Sequence, residues 1–576
     1  MKKYIAWSLM SLMLFFIGCN QVEKPVMTPM GGTYTHEIMV TITCATNGAV
    51  IHFTIDGSTP TAFSPTYSEP IHLTPVNITM IQAVGIKLGM KDSYTAENTY
   101  TVLSCTQAWE GDYLIENSSD VSNLSGYTGV TGSLSVVGSS LNDLRGLENL
   151  TQIGGKLIVK DNPALISLDG LNNLMFVGGS MVSDNNAVLA DLNSLLHLTS
   201  IPYDLIISNN PLLPSLQGLN NISSVGKLSS FGRLLIRNNN SLADLDGLNS
   251  LTETKKIHIR DNQSLVSLKG LSKVTSLHDP IGGSYELYIG NNNALKNLDG
   301  LENLTVVDGL TIYGNQSLET LSALKDINLQ YLTIGNNDAL KTLDGPHKIT
   351  FTLGLLASMI SIADNDSLVD LDALNGIKRI SAIMIRGNDS LTTLQDLNNL
   401  ESLFSLEITD NDALTTLQGL NNIETLWYLD ITDNDALENL DALVNLKSIT
   451  NYARQNCLLS IRDNDALNNI DGLHNLTRID GKVIISGNSS LQHINALVGI
   501  QAIEGLLEIS YNPVLTNLNG LKNLKYVERY LNIGEAELYW DVSIHDNALL
   551  PSALAHALVD QLILFFGKVE IYNNQD

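Results

Sequence analysis

The hydrophobic residues of this chain follow two periods, both of which are clear in residues 406–426. Leu406 and Ile408 alternate with the polar Glu407, which predicts a short strand with two side chains on one face. Beyond it, apolar residues recur at every third position: Leu414, Leu417, Leu420, Ile423 and Leu426. This spacing fits an α-helix poorly, because about 3.6 residues per turn would spread the side chains around its axis. We therefore predict a strand followed by a chain that turns repeatedly and directs one residue of each short segment inward.

The same phrase recurs down most of the chain, with an asparagine just after each strand. The asparagines lie at positions 162, 186, 210, 239, 262, 292, 315, 337, 365, 388, 411, 434, 464, 488, 512, 547 and 574. A single coil cannot bury its own leucines, so successive coils must stack, with neighbouring strands about 4.8 Å apart. The repeat predicts an all-β-dominated solenoid of about 17 coils. Because a turn frees backbone groups that an amide can bond, we expect a structural ladder that includes Asn315, Asn337, Asn365, Asn388, Asn411 and Asn434.

One column of strand residues faces outward by alternation and is apolar in the first four coils. We call it the apolar stripe; it consists of Ile158, Val182, Ile206 and Leu235. A contiguous exposed apolar stripe predicts a cover, either a docked N-terminal domain, a loop or a partner protein. The alternative is that these residues reflect only the strand preference of branched side chains. The stripe is our first candidate surface for binding a partner.

Several coils are longer than about 23 residues, and the extra residues always precede a strand. These insertions include residues 226–232, 278–283, 452–456 and 529–540. A fixed position in the coil gathers them on one edge, which is typical of a binding face, although surface turns also tolerate insertions. Two aromatic residues, Phe404 and Trp427, occupy the same position in adjacent coils and form a second candidate contact for a ligand.

Aspartates follow the ladder asparagine in consecutive coils, most regularly at Asp366, Asp389, Asp412 and Asp435. Stacked like charges repel, and a hard cation such as Ca²⁺ would relieve the repulsion through oxygen ligands. Aspartate is also favoured in turns for its local backbone hydrogen bonds, and no glycine-rich calcium-loop phrase is present. We therefore expect no cofactor, with Ca²⁺ as the alternative.

Residues 1–19 read as a signal peptide rather than as part of the fold. Two lysines precede an apolar run from Ile5 to Ile17, which is followed by Gly18 and Cys19. This pattern resembles the bacterial lipoprotein cleavage box, with Phe16 in place of the usual leucine. The resemblance implies that Cys19 carries a lipid anchor and that the protein is attached to the bacterial outer membrane, facing the cell surface. Cys44 and Cys105 either pair or remain free, and Cys457 is predicted to be a buried thiol.

Two further resemblances divide the rest of the chain. Residues 20–104 have strand-like runs separated by turns, and the segment Asp56-Gly57-Ser58-Thr59-Pro60 resembles the chitobiase/β-hexosaminidase C-terminal-type domain, a non-catalytic β-sandwich. Residues 105–576 resemble the receptor L domain, whose repeats are similar to leucine-rich repeats. That resemblance implies a right-handed β-helix closed by a short C-terminal capping helix. The array is longer than one such domain, so no ligand site is transferred from that family.

Charge and motifs narrow the functional class. A formal charge of −28 disfavours nucleic acid and anionic membrane surfaces as partners, which leaves the lipid anchor as the contact with the membrane. No metalloprotease, P-loop or serine-hydrolase phrase is present, so we expect no enzyme activity. The sequence predicts a non-catalytic cell-surface binding or adhesion lipoprotein that recognises an extracellular protein or glycan. The alternatives are a glycan-capture accessory protein of a polysaccharide-use system and a structural envelope protein without a soluble ligand.

Overall fold

A computed structural model describes most of the chain from Gln21 onward. The described residues are 21–75, 77–104, 107–229, 231–277, 286–324, 327–344, 349–351, 358–450, 457–527, 542–562 and 568–575. They divide into two compact units. The first comprises 1–186, 193–205 and 224–232, and the second comprises 187–192, 206–223 and 233–576.

The first unit begins with two small sheets that share one core. Their strands are β1 (Val26–Thr28), β2 (Gly32–Tyr34), β3 (Ile38–Thr43), β4 (Val50–Thr54), β5 (Ile71–Leu73), β6 (Asn77–Ile86) and β7 (Ala96–Val102). One sheet has the order β1-β3-β5 and the other the order β2-β7-β6-β4. Alternate residues such as Val40, Ile81 and Tyr100 are fully buried between them. This region is the N-terminal sheet domain that the strand-like runs of the sequence predicted.

The first coils of the solenoid also belong to the first unit. Their long strands are Tyr113–Ile115, Leu134–Val137, Leu157–Lys160 and Met181–Asp184, and all pair in parallel. Short strands pair on a second side of the coils: Ala108–Trp109, Gly129–Val130, Gln152–Ile153 and Phe176–Val177, then Ser200–Ile201 with Ser224–Val225. A 3₁₀ turn spans Asn193–Leu195. The helix α1 (Ser118–Leu124) lies near the start, where Asn117 and Asp120 form a reciprocal capping box.

The second unit continues the repeat to the C-terminus. We call its long parallel strands, one per coil, the long sheet: Arg233–Arg237, Lys256–Arg260, Glu286–Gly290, Gly309–Tyr313, Tyr331–Gly335, Met359–Ala363, Ala382–Arg386, Ser405–Thr409, Tyr428–Thr432, Cys457–Arg462, Gly481–Ser486, Leu507–Ser510, Val542–His545 and Val569–Tyr572. The strand Leu205–Ser208 precedes them. Short strands form two further sheets: Ser276–Leu277, Val306–Val307, Ile327–Leu329 and Ile349–Phe351, then Thr425–Leu426, Ser448–Ile449, Arg478–Ile479, Ala502–Ile503 and Tyr526–Val527.

The spacing of three has a direct structural cause. Many coils contain a 3₁₀ turn on the side away from the long sheet: Asp246–Leu248, Lys269–Leu271, Asp372–Leu374, Gln395–Leu397, Asp441–Leu443, Asp471–Leu473, Asn495–Gly499 and Asn519–Leu521. In one of them the Leu443 N–H donates to the Leu440 carbonyl, and the Leu446 N–H donates to the Leu443 carbonyl. Because a 3₁₀ turn has about three residues per turn, every third side chain points the same way. Leu440, Leu443 and Leu446 are accordingly all fully buried.

A helix near the C-terminus, α2 (Ser552–Gln561), precedes the last strand and buries Ala555 and Leu558. The Gln561 side chain donates to the carbonyls of Leu521 and Leu524, which attaches the helix to the preceding coils. Within the described ranges no helix is long and apolar enough to cross a membrane. The predicted fold class is confirmed: a mostly β chain, a solenoid of about 17 turns after the N-terminal sheets, and a short helix near the end.

Candidate functional site

The ladder asparagines use their amides entirely within the fold. The Asn411 Nδ2 donates to the carbonyl oxygens of Ile385 (3.1 Å) and Thr409 (2.9 Å) and to the Asn434 Oδ1 (3.1 Å). Its Oδ1 accepts from the backbone N–H and the Nδ2 of Asn388, both at 3.2 Å. The six asparagines named from the sequence are fully buried: Asn315, Asn337, Asn365, Asn388, Asn411 and Asn434. These side chains join each coil to the next, and their amide groups are not available to a ligand.

The residue just before each ladder asparagine lies in the left-handed region of backbone space. Asp364, Asp410, Asp433 and Asp463 have φ between 52° and 60° there. Aspartate, asparagine and glycine tolerate this conformation better than other residues. The backbone therefore explains the aspartates that precede the ladder.

The aspartates after the ladder asparagine stand exposed, in columns. Partial desolvation and the neighbouring carboxylates of Asp366 and Asp412 raise the pKa of Asp389. Partial desolvation, with the carboxylates of Asp412 and Asp465, raises the pKa of Asp435 in the same way. In the part of the chain that the structure describes, no three acidic, histidine or cysteine side chains are placed to hold a metal ion. The columns are thus sites of charge repulsion, and calcium binding stays a prediction.

The outward face of the strands carries the apolar stripe, whose members lie in both units. In the first unit Ile158 pairs in register with Ser135 and Val182, and both apolar side chains are partly buried. Ile206 and Leu235 belong to the second unit, where Ile206 is partly buried and Leu235 is only 6% exposed. Leu235 begins a column that continues with His258 and Tyr288. The role of the stripe in partner binding stays a prediction.

Phe404 and Trp427 lie side by side, as their equal coil positions suggested. Their ring centroids are 4.2 Å apart and their planes differ by 9°, so the rings stack face to face. The backbone N–H of Trp427 donates to the backbone carbonyl of Phe404 at 2.7 Å, which joins the two coils at this point. Both residues are partly exposed. Stacking uses one face of each ring, and the partial exposure of both residues leaves part of each side chain open to solvent.

A polar network on the long sheet was missed from the sequence. The buried Asp430 accepts from the Tyr428 hydroxyl at 3.2 Å and the Thr432 hydroxyl at 2.6 Å. The Arg462 guanidinium lies 3.5 Å from the same carboxylate. Burial and the nearby carboxylates of Asp430 and Glu407 raise the pKa of Tyr428 to about 12. The signal in the sequence is that Tyr428, Asp430 and Thr432, the outward residues of one strand, are all polar.

Three tyrosine rings lie against glycines on the outward side of the long sheet. We call the surface formed by Tyr288, Tyr313, Tyr331 and these glycines the tyrosine face. A methyl group at Gly290 would be 2.5 Å from the Tyr288 ring, and one at Gly335 would be 3.0 Å from the Tyr313 ring. A methyl group at Gly309 would coincide with the ring of Tyr331. These glycines leave the space in which the rings lie down on the sheet.

The two strands before the tyrosine face are basic on their outward side. Arg233 and Arg237 flank Leu235 in one strand, and they pair in register with Lys256 and Arg260 of the next. The Arg260 Nη1 lies 2.8 Å from the Asp261 Oδ2, and the ring centroids of His258 and Tyr288 are 5.9 Å apart. Burial is the main cause that raises the pKa of Tyr288. This cluster contrasts with the net charge of −28 for the whole chain.

The first unit contains a cleft of about 370 Å³. It is lined on one side by Ile55, Asp56 and Ile78 and on the other by Phe176 and Leu228. The Asp56 carboxylate accepts from the backbone and the hydroxyl of Ser58, which lowers its pKa, and Gly57 has a φ of 80°. Asp56 and Gly57 therefore form a turn.

Several predictions fall outside the described residues. They include the lipidated Cys19, one member of the proposed Cys44–Cys105 pair, and the insertions at 278–283, 452–456 and 529–540. Of the other two cysteines, Cys457 is buried and the Cys44 thiol donates to the Glu23 carbonyl. The insertion at 226–232 is described except for residue 230.

Comparison with known proteins identifies one domain. Residues 29–97 match the chitobiase/beta-hexosaminidase C-terminal domain, which confirms the resemblance predicted for this region. No curated protein matches the chain. Among solved structures, a leucine-rich-repeat protein of Leptospira interrogans is 17% identical and aligns over 80% of this chain and 88% of its own, with a TM-score of 0.25. The TLR13–ssRNA13 complex is 13% identical, over 81% and 83%, with a TM-score of 0.25.

Proposed function

We propose that the protein is a non-catalytic cell-surface binding lipoprotein whose solenoid recognises an extracellular protein through the outward face of its strands. The N-terminal sheet domain serves as a spacer, and a lipid on Cys19 attaches the chain to the outer membrane. A repeated coil supports this role because it presents a long surface of side chains without requiring an enclosed pocket.

One observation carries the proposal. In the first unit Leu114, Ser135, Ile158 and Val182 stand in register at the outward position of four adjacent strands. Leu114 is 49% exposed, and the two branched residues are partly exposed beside it. Ser135 separates Leu114 from Ile158, and Ile158 and Val182 are adjacent apolar side chains. Adjacent apolar side chains on a surface strand favour contact with a partner, because their burial removes apolar area from water.

The test uses the chain from Gln21 onward, with and without Ca²⁺, in pull-downs against purified extracellular matrix proteins. We expect one such protein to be captured, and the capture to be lost when Ile158 and Val182 are both changed to serine. The matched control is Ile166→Ser, which alters an isoleucine that is 51% exposed and lies outside the strand. Circular dichroism establishes that each variant is folded. Equal capture by the wild type and the double variant would refute a role for the stripe.

A second candidate, glycan capture, is favoured by the stacked rings of Phe404 and Trp427. Aromatic rings offer a flat apolar surface with a negative face, which suits the C–H groups of a sugar ring. On a glycan array, Phe404→Ala and Trp427→Ala should each abolish a signal that Phe231→Ala retains, since Phe231 is 76% exposed at a different place. A signal that all three variants retain would exclude the stacked pair as the site.

A further inference from the structure

We propose that the tyrosine face binds an acidic saccharide, a short chain of pyranose rings that carry carboxylates. The proposal goes beyond the protein-binding role described above, because it adds a second ligand class at a separate site on the solenoid. The site is formed by strands of the second unit, and the stacked pair of Phe404 and Trp427 takes no part in it.

The grid of side chains gives the site its shape. Glu286, Gly309 and Tyr331 occupy the first outward position of three successive strands. The third position holds Tyr288, Thr311 and Thr333, and the fifth holds Gly290, Tyr313 and Gly335. Each tyrosine ring lies against a glycine, so the rings lie along the sheet and do not project from it. The surface is a flat plate of aromatic faces and hydroxyl groups.

A flat plate favours a sugar over a protein side chain. Energetically dominant protein contacts are anchors inserted into pockets, and rings that lie on glycines provide no such pocket. A pyranose ring has a flat face of C–H groups that an aromatic ring attracts, and its hydroxyls can bond the phenols and the nearby threonines. The three strands span about 10 Å from the first to the third, which is room for roughly two sugar rings.

The charge beside the plate selects an acidic sugar. Arg233, Arg237, Lys256 and Arg260 place four cations at the outward positions of the two preceding strands. Two carboxylates lie beside them: Asp261, which pairs with Arg260, and Glu286 at the start of the third strand, so the patch keeps an excess of positive charge. Among the described residues the buried Arg237 Nε has no hydrogen-bond partner. Arginine matches a carboxylate with paired N–H donors, so carboxylates of a saccharide on the plate would meet complementary charge.

Single-stranded nucleic acid also uses aromatic and basic groups. A run of phosphates needs a basic path along its length, whereas this patch covers two strands of a chain whose net charge is −28. Spaced carboxylates on a neutral ring framework fit the limited patch better, so we favour the saccharide.

The test measures binding of the full-length protein by calorimetry to three probes: a galacturonic acid hexasaccharide, its fully methyl-esterified form and an RNA hexamer. We expect the acidic hexasaccharide to bind, with an affinity that falls as salt is raised. The methyl ester should bind more weakly or not at all.

Tyr313→Ser should weaken binding by about three- to tenfold, as expected for one aromatic contact. Arg237→Gln should weaken binding of the acid without affecting the residual binding of the ester. Tyr94→Ser is the matched control, because Tyr94 is 70% exposed in the N-terminal sheet domain. Far-ultraviolet circular dichroism checks the fold of each variant.

Each remaining outcome is decisive. Equal binding of the acid and its ester would overturn the role of charge, and an affinity for the acid that Tyr313→Ser leaves unchanged would overturn the site. Preference for the RNA hexamer would replace the saccharide with nucleic acid. If no saccharide binds while the Ile158 and Val182 variant still loses a captured protein, the saccharide is wrong and the proposed function stands. If neither binds, both proposals fail.

Discussion

Replacing a ladder asparagine measures how strongly one coil is joined to the next. In Asn411→Ala the side chain loses its bonds to the Ile385 and Thr409 carbonyls and to the Asn434 Oδ1. The Thr409 carbonyl still accepts from the Gly387 N–H, so it remains satisfied. The backbone N–H of Asn388, which donates to the Asn411 Oδ1, loses that acceptor in a fully buried place.

The expected loss of stability follows from these changes in hydrogen bonding. A buried donor without a partner costs about 1–3 kcal/mol, and the other lost bonds add about 1 kcal/mol. We therefore expect the free energy of unfolding to fall by about 2–4 kcal/mol. The matched control is Asn422→Ala, which removes a single bond from an exposed asparagine to the Asn398 carbonyl and should cost about 0.5–1 kcal/mol.

The assay is urea denaturation followed by circular dichroism, together with hydrogen exchange read by mass spectrometry. Exchange should increase first in the coils on either side of Asn411, because each coil is stabilised mainly by its neighbours. Equal losses of stability in the two variants would contradict the reasoning. That result would mean that water or a shifted backbone carbonyl accepts the Asn388 N–H without a loss of stability.

Two further variants test the backbone and the charge of the coils. Tyr511 occupies the left-handed position with a φ of 54°, where most other coils have asparagine, aspartate or glycine. Tyr511→Asn should therefore raise the melting temperature. After the loss of the ring contact with His545 is subtracted, the free energy of unfolding should rise by about 0.5–1 kcal/mol. A lower melting temperature would show that the ring contact outweighs the backbone strain. Because the pKa values of Asp389 and Asp435 are raised, their contribution to stability is present below the ordinary aspartate pKa and lost as the pH rises through the raised values. Asp412→Asn removes a charge next to both, so the free energy of unfolding at pH 7 should rise by about 0.3 kcal/mol, with no difference in acid. An unchanged dependence of stability on pH would argue against coupling within the column.

The repeat was predictable because its signal is local and is read many times. Leu406, Ile408 and Leu414 show their inward direction within one coil, and equal coil positions brought Phe404 and Trp427 together. The parallel pairing of β2 with β7 joins segments far apart in sequence, which no local pattern specifies.

The tyrosine face was missed for a related reason. Tyr288, Tyr313 and Tyr331 occupy different positions in their strands, so they form no column in the sequence. Only the register of three strands, together with the direction in which each ring turns over a glycine, brings them onto one surface. The acidic columns were visible, but the left-handed backbone that favours aspartate beside them became apparent only from the structure.

The ladder also determines how the length of this protein can change. Asn388, Asn411 and Asn434 each bond their own coil, the coil before and the coil after, and the pattern of donors and acceptors repeats from one step to the next. Removal of one whole coil therefore rejoins the ladder with every buried amide still paired, whereas removal of part of a coil leaves amides without partners. Evolution can lengthen or shorten such a chain in complete coils, and the length of the proposed binding surface can vary without a new core.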